Sequence, residues 1–303
     1  MTEQMDIVQE NPAAPDPVVP AMASAGVTNS LRAIWAIAMY TLREGLRKKT
    51  LIGFLILSIL VIFGTSFITA FLNQKTIGDA TQDIEIKLIK DICVTTISIF
   101  GVLITIFTSA SVVPGEVENR VIYTVLSKPL RRFQYLLGKF IGAQFIILLN
   151  LALMGGLFFL VLWVKQGVPA TLLLWSLLLT YFEFLIVSAF TFAISCTATS
   201  AVLPTIGGLF IYITGNMTEY LRDVSNRAGQ TTLLIDQWIG NIALWLSRIL
   251  PNLTDFSLKN QILHLQPNDL PRDVQIPNLI AYSLMYVIAG YCIAYWIFRR
   301  KEF

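Results

Sequence analysis

The sequence predicts an all-α, polytopic membrane protein. Hydrophobic residues make up 55% of its 303 residues and charged residues only 14%, whereas a soluble domain carries roughly 25% charge. The mean hydropathy is +0.67. A helix needs about 20 apolar residues to cross a bilayer. Six apolar runs approach that length, at 51–72, 92–113, 140–163, 172–195, 201–216 and 279–298.

The chain ahead of the first run divides into a tail and a helix. Residues 1–28 contain acidic residues and prolines but neither Lys nor Arg. Such a composition buries too little apolar surface to order itself, so we expect a disordered tail followed by a membrane domain over 29–303. Residues 30–49 predict an interfacial helix, which serves as an orientation anchor or as an elbow that also touches a cytoplasmic partner. Its apolar stripe comprises Leu31, Ile34, Trp35, Ala38 and Leu42.

Basic residues gather beside the ends of the apolar runs that would share one side of the membrane. They include Arg43, Arg47, Lys48, Lys49, Arg131, Arg132, Lys139, Arg299, Arg300 and Lys301. Loops rich in Lys and Arg lie on the cytoplasmic side. We therefore expect both termini to be cytoplasmic, an even number of spans and no basic residue within a span.

The segment 116–142, between the second and third runs, is unusually charged and amphipathic for a short membrane loop. Pro114 and Gly115 end the second run, and Glu116 and Glu118 occupy the first turn of a new helix, where the helix dipole favours negative charge. An apolar stripe follows, at Val121, Ile122, Val125 and Leu126. The segment is either an ordinary cytoplasmic loop or a coupling helix on which a soluble partner docks, and the stripe favours docking.

The outer segment 217–278 contains a second amphipathic stretch, at 231–250. Trp238 and Trp245 are seven residues apart on one helical face, as in a helix at the membrane interface. Asp236 and Arg248 argue against a seventh span. We expect an extracytoplasmic helical segment before the last span, with a re-entrant helix as the alternative.

Glu183 is the one carboxylate inside a predicted span. A charge at mid-membrane costs at least about 2.5–3.5 kcal/mol, so this side chain should face protein or water. It either contacts a substrate, an ion or a gate, or links helices within one chain or between two copies.

Several kinds of site are not predicted. With Gly138–Lys139 as its Gly-Lys pair, the phosphate-loop pattern GxxxxGK[ST] requires Gly at position 133 and Ser or Thr at position 140. Both positions hold Phe, so the pattern fails at both ends. The three cysteines are far apart in sequence, which argues against a metal or redox site. Basic residues are not interleaved with aromatic residues, which argues against nucleic-acid binding. We predict neither a cofactor nor a metal.

The cytoplasmic segment resembles the corresponding loop of ABC-2 type transporter permeases. The residues that carry the likeness are Glu116, Glu118, Lys128, Pro129, Arg131 or Arg132, and 136–142. Val121 stands where that family usually has Thr. Residues 30–50 are similar to the family's amphipathic helix, and 251–256 to a segment often found ahead of its last span.

The resemblance implies a permease, a non-enzymatic half of a translocation pathway in the plasma (inner) membrane. A separate ATP-binding subunit would hydrolyse ATP, and a second copy or a paralogous permease would complete an exporter. The residues implied in coupling to the ATPase are Glu116, Glu118, Arg120, Lys128, Pro129, Arg131 and Arg132. The alternatives are a membrane anchor or assembly factor without a transport path, and a secondary carrier.

Overall fold

The computed structural model describes residues 27–73, 79–118, 131–166, 171–228, 238, 240–243, 245, 251–257 and 276–300. Within these ranges the regular structure is helical, without strands. The labelled helices are α1 (Val27–Leu46), α2 (Lys49–Asn73), α3 (Asp79–Ser111), α4 (Pro114–Glu118), α5 (Arg132–Gln166), α6 (Thr171–Ser195), α7 (Val202–Asn216), α8 (Thr218–Ala228) and α9 (Ile276–Arg300). A short 3₁₀-helix covers Thr254–Ser257. The predicted tail lies outside the described residues up to residue 26.

The prediction of an all-α, polytopic membrane protein is confirmed. Among the described residues, α2, α3, α5, α6 and α9 are long and apolar enough to cross a membrane. The remaining predicted span is α7, which has only 15 residues. At 1.5 Å per residue it is about 22 Å long, against a hydrocarbon core of about 30 Å. A complete crossing by this helix therefore stays a prediction.

Helix α6 lies at the centre of the bundle and packs against α3, α5, α7 and α9. Within an apolar window of 18 residues, 67% of the residues of α6 are buried, whereas 22% are buried in the corresponding windows of α2 and α9. Since those two peripheral helices expose apolar side chains such as Phe67 and Ile288, their outer faces are suited to contact with lipid.

The helix ends form two groups, which we call the basic end and the opposite end. At the basic end, the Lys48 ammonium donates to Ser111 Oγ over 2.9 Å, and Arg132 Nη1 donates to the carbonyl of Arg299 over 3.0 Å. These contacts bring together the start of α2, the end of α3, the start of α5 and the end of α9. Described basic residues thus cluster where the sequence places the cytoplasmic side.

The opposite end is closed by residues 251–257. The Leu253 N–H donates to the Gly215 carbonyl at the end of α7 over 3.1 Å. The Asn252 N–H donates to the Tyr282 hydroxyl at the start of α9 over 2.8 Å. Leu253 and Phe256 are fully buried. This segment therefore joins α7 to α9 through its backbone N–H groups, which donate to a backbone carbonyl of α7 and to a side-chain hydroxyl of α9, and through buried apolar side chains.

The described part of the stretch 231–250 agrees with an amphipathic helix. Residues 238, 240–243 and 245 are helical. Trp238, Ile242 and Trp245 are 71%, 62% and 66% exposed, whereas Ala243 is buried. The two tryptophans thus share one exposed apolar face, as predicted, and a place for this face at the outer membrane surface stays a prediction.

Helix α1 packs along the first half of α5 instead of lying alone. A Cβ atom on Gly138 would lie 2.9 Å from the Ile34 carbonyl oxygen, and one on Gly142 would lie 2.7 Å from that of Ala38. Only small residues permit such an approach between helices. Leu31 and Trp35, which belong to the predicted apolar stripe, remain exposed. The predicted stripe is therefore divided, because Ala38 is buried against α5 while Leu31 and Trp35 face outward.

Candidate functional site

The most distinctive polar arrangement in the described residues is a largely buried group of acidic, basic and hydroxyl side chains at the basic end. We call it the Lys139 cluster; it comprises Glu44 of α1, Glu116 of α4, and Tyr135 and Lys139 of α5. Glu116 is 3% exposed and Lys139 1% exposed. Four polar side chains from three helices thus meet beside the short helix α4.

The Lys139 ammonium is the centre of this cluster. It forms an ion pair with Glu116 and lies 3.7 Å from a carboxylate oxygen of Glu44. Its Nζ also lies 5.2 Å from the centre of the Tyr40 ring, within the range of a cation–π contact. A single buried cation therefore links α1, α4 and α5.

Tyr135 supplies a further contact to the same carboxylate. One helical turn before Lys139, its hydroxyl donates a hydrogen bond to Glu116. The Tyr135 ring stacks on Phe298 of α9 with ring centres 5.8 Å apart. The carboxylate is thus held by both a cation and a hydroxyl, as buried charges require, and through the Tyr135 ring the contact extends to the last helix.

Lys48 connects the cluster to the start of α2. Its ammonium lies 3.9 Å from Glu44 and donates to Ser111 at the end of α3. Burial lowers the pKa of Lys48, and the neighbouring Glu44 carboxylate acts in the opposite direction. Glu44 therefore lies between two ammonium groups, and the turn between α1 and α2 is connected to the same group of charges.

The local sequence explains why these side chains converge. Gly138 and Gly142 allow the backbone of α1 to approach α5, which brings Glu44 within reach of Lys139. Pro114 begins α4, where its missing N–H costs no helical hydrogen bond. The Glu116 N–H then donates to the Val113 carbonyl over 3.1 Å. The chain thus turns immediately after α3 and directs Glu116 back toward α5.

The sequence-predicted coupling residues have different surroundings. Glu118, Arg131 and Arg132 are exposed, as a docking surface would require. The Glu116 side chain, by contrast, is turned into the protein, because Lys139 and Tyr135 hold its carboxylate. Arg120, Lys128 and Pro129, together with most of the predicted coupling helix, lie outside the described residues.

Lys139 bears on the expectation that no basic residue lies within a span, which stays a prediction. Helix α5 begins at Arg132, eight residues before the apolar run predicted at 140–163, and the candidate span includes Lys139. The ion pairs with Glu116 and Glu44 explain why a lysine is tolerated there. Glu44 and Tyr135 were not singled out by the sequence, and the one available signal was an acidic residue in an otherwise basic helix end.

Glu183 lies inside the bundle and not on a surface of the chain. It is 1% exposed and interacts electrostatically with Tyr212 of α7. This location favours a polar link between α6 and α7 within one chain over a contact between two copies. The described residues contain no group of three His, Cys, Asp or Glu side chains suited to a metal ion.

Comparison with known proteins identifies the family. A family model described as ABC-2 family transporter protein matches residues 35–303, a range that contains the Lys139 cluster, Glu183 and all the candidate spans. A comparison with curated proteins gave no match. Together with the bundle of apolar helices, the family match shows that this chain belongs to the ABC-2 transporter family, whose members are membrane subunits of ABC transporters.

Proposed function

We propose that this chain forms half of the translocation pathway of an exporter and couples to a separate ATP-binding subunit through the segment that begins at α4. Family membership implies association with such a subunit. In this proposal both termini are cytoplasmic, the protein lies in the plasma membrane, and a second copy or a paralogous permease completes the pathway. ATP hydrolysis takes place in the partner.

The observation that carries the proposal is the Lys139 cluster. The coupling segment begins with α4, and Glu116 of α4 is bound to Lys139 of α5, which also pairs with Glu44 of α1. A displacement of α4 would therefore pull on α1 and α5 together. Closure of an ATP-binding subunit against this segment would tilt these helices as one group, which is a rigid-body route to alternating access.

In this mechanism, the coupling residues have two kinds of role. Glu118, Arg131 and Arg132 are exposed and would contact the ATP-binding subunit, as would Arg120, Lys128 and Pro129. Glu116 would transmit the movement from inside the protein. Removing one partner of a buried ion pair costs about 3–5 kcal/mol, because the other charge is left unpaired.

Association with an ATP-binding subunit can be tested by charge reversal at the exposed positions. We expect Glu118→Lys and Arg131→Glu to weaken copurification of the ATP-binding subunit, because both reverse a charge on the proposed contact surface. Asp223→Lys is the matched control, since Asp223 is also exposed but lies on α8 at the opposite end. Equal copurification by Glu118→Lys, Arg131→Glu and the control would remove the docking role.

Sidedness can be measured with single cysteines in a Cys292→Ser background. Cys93 and Cys196 are fully buried and Cys292 is exposed, so this single replacement removes the accessible thiol. We expect an impermeant maleimide to label Glu118→Cys from the cytoplasmic side alone and Asp223→Cys from the outside alone. The reverse pattern would contradict the proposed orientation and the coupling scheme with it.

A further inference from the structure

A cleft of about 680 Å³ opens at the basic end, between the first turn of α5 and the last turns of α9. Its lining consists of Arg131, Arg132, Phe133, Tyr295 and Arg299. Three of these five side chains are guanidinium groups and none is a carboxylate. The cleft is therefore a strongly positive site, and the proposed coupling mechanism does not account for its α9 wall.

Backbone and ring contacts fix the shape of the cleft. Arg132 Nη1 donates to the Arg299 carbonyl, and the Tyr291 hydroxyl donates to the Phe133 carbonyl over 3.2 Å. The Phe133 ring meets the rings of Tyr291 and Tyr295 edge to face, with centres 5.8 Å apart in both pairs. These contacts hold the two helix ends together, so the arginines project from a preformed frame.

The exposed face of α9 leads directly to this cleft. Met285, Ile288, Cys292 and Trp296 follow one another at intervals of three or four residues and are all exposed, and the next position on that face is Arg299. Residues at this spacing share one side of a helix. An apolar face of a membrane helix contacts acyl chains, so its end at Arg299 places the cleft at the depth of the headgroups.

The last turn of α9 also has the composition of a membrane boundary. The Arg300 guanidinium lies 3.7 Å from the centre of the Trp296 ring. Tryptophan and arginine at the end of a span are typical of the interface between lipid and water. Arg299 lies within one helical turn of Trp296 and Arg300. Their position at the interface therefore supports a headgroup depth for Arg299 as well.

We propose that the cleft binds the phosphate headgroup of an anionic phospholipid, with the acyl chains against the exposed face of α9. Arginine suits this ligand because its planar guanidinium donates two parallel hydrogen bonds to phosphate oxygens. Basic pockets between spans on the cytoplasmic side are suited to anionic headgroups. An anionic lipid here would bridge α5 and α9 at the first turn of α5.

The proposal can be separated from ATPase docking, because Arg299 and Tyr295 lie outside the segment 116–132. Native mass spectrometry of the full chain in detergent would measure binding of phosphatidylglycerol and of phosphatidylcholine. We expect tighter binding of phosphatidylglycerol. Arg299→Gln should weaken it about fivefold, since one basic residue contributes about 1 kcal/mol near an anionic headgroup. Phosphatidylcholine binding should not change.

Three variants make the test specific. Arg47→Gln is the matched control, because Arg47 is exposed on the connection after α1 and does not line the cleft; it should leave phosphatidylglycerol binding unchanged. Arg299→Lys keeps the charge but loses the planar fork, so we expect an intermediate affinity. Arg131→Gln, at the α5 wall of the cleft, should weaken phosphatidylglycerol binding in the same way. It replaces Arg299→Gln as the test if that variant does not fold.

The outcomes that would overturn the proposal are equally distinct. One is equal binding of the two lipids by the unaltered chain. Another is displacement of phosphatidylglycerol by millimolar inorganic phosphate, which would indicate a site for the free anion. A third is that Arg299→Gln loses the ATP-binding subunit, or loses a dimer, while it retains phosphatidylglycerol; the cleft would then be a protein contact.

Discussion

At the basic end, side chains with full charges meet inside the protein, whereas the opposite end is closed mainly by uncharged groups, and its one carboxylate in the segment 251–257, Asp255, is exposed. Lys139 pairs with Glu116 and Glu44. At the other end, Leu253 and Asn252 donate backbone hydrogen bonds to Gly215 and Tyr282. A buried ion pair is costly to break and also depends on both partners being present. The neutral contacts are individually weak, so we expect the two ends to respond differently to single substitutions.

The difference between the ion pairs of the basic end and the neutral contacts of the opposite end indicates which end transmits force. A neutral closure made of many small contacts can loosen locally without exposing a charge. The Lys139 cluster cannot separate without leaving charges unpaired in a poorly solvated place. The basic end is therefore suited to move as one group, and the opposite end is suited to open and close.

The largest effect should come from removing the central cation. Lys139→Met leaves Glu116 buried beside Tyr135 without its ion pair, and we expect a loss of about 3–5 kcal/mol in the free energy of unfolding. Thermal unfolding in detergent, followed by tryptophan fluorescence, would measure it. The double variant Lys139→Met with Glu116→Gln should recover most of the loss, because no charge then stays unpaired. A double variant as unstable as the single one would contradict this account.

A smaller effect should follow from separating α1 from α5. Gly142→Ala places a methyl group where the Ala38 carbonyl oxygen would lie 2.7 Å away, so the helices must move apart. Overpacking of this kind costs about 1–3 kcal/mol. Gly156→Ala is the control on the same helix, because nothing lies within 4 Å of its added Cβ. Equal unfolding temperatures for the two variants would show that the close approach is not required.

At the opposite end, loss of one neutral hydrogen bond should have a modest effect. Tyr282→Phe removes the acceptor of the Asn252 N–H, and a hydrogen bond of this kind contributes about 1 kcal/mol. Hydrogen exchange of residues 251–257 should accelerate, while copurification with an ATP-binding subunit should not change. Tyr220→Phe serves as the control because Tyr220 is exposed. If Tyr282→Phe lowered the free energy of unfolding as much as Lys139→Met, the proposed difference between the two ends would be contradicted.

The smallest expected effect concerns Asp255. Burial raises its pKa, whereas Arg222 and the hydrogen bond from Asn252 act in the opposite direction. A raised pKa means that the folded state binds the proton more readily, so this group adds stability as the pH falls through its raised pKa. Asp255→Asn should therefore be slightly more stable than the unaltered chain at pH 7, by at most about 0.5 kcal/mol. Unfolding temperatures that differ more at pH 4 than at pH 7 would contradict the sign.

The sequence predicts the spans better than the contacts between them. The runs at 172–195 and 201–216 agree within one residue with α6 and α7, because hydropathy depends on local composition alone. Helix α5 begins at Arg132, well before the predicted 140. A hydropathy profile falls wherever a charged residue occurs. It cannot show that Lys139 forms ion pairs with Glu116 and Glu44.

The candidate site shows the same limit. The position of Glu116 in a first helical turn follows from Pro114 and the spacing of the acids, but the direction of its side chain does not. That direction depends on Tyr135 and Lys139, which lie 19 and 23 residues later in the chain. Similarly, large apolar residues of α1 such as Trp35 are exposed, whereas Ala38 and Gly45 are buried. Small residues, not the most hydrophobic ones, form the protein-facing side in a membrane.

The short length of α7 has a consequence for the shape of the membrane around it. The helix starts near the basic end, where Gly207 packs against Ile194 of α6, and after 15 residues it gives way to the polar helix α8. Thr214, Thr218 and Asn252 are buried together with the polar backbone around its end. The helix is therefore shorter than a typical hydrocarbon core by about a quarter. A full crossing at α7 would require either a bilayer that thins locally or neighbouring chain that supplies the missing length.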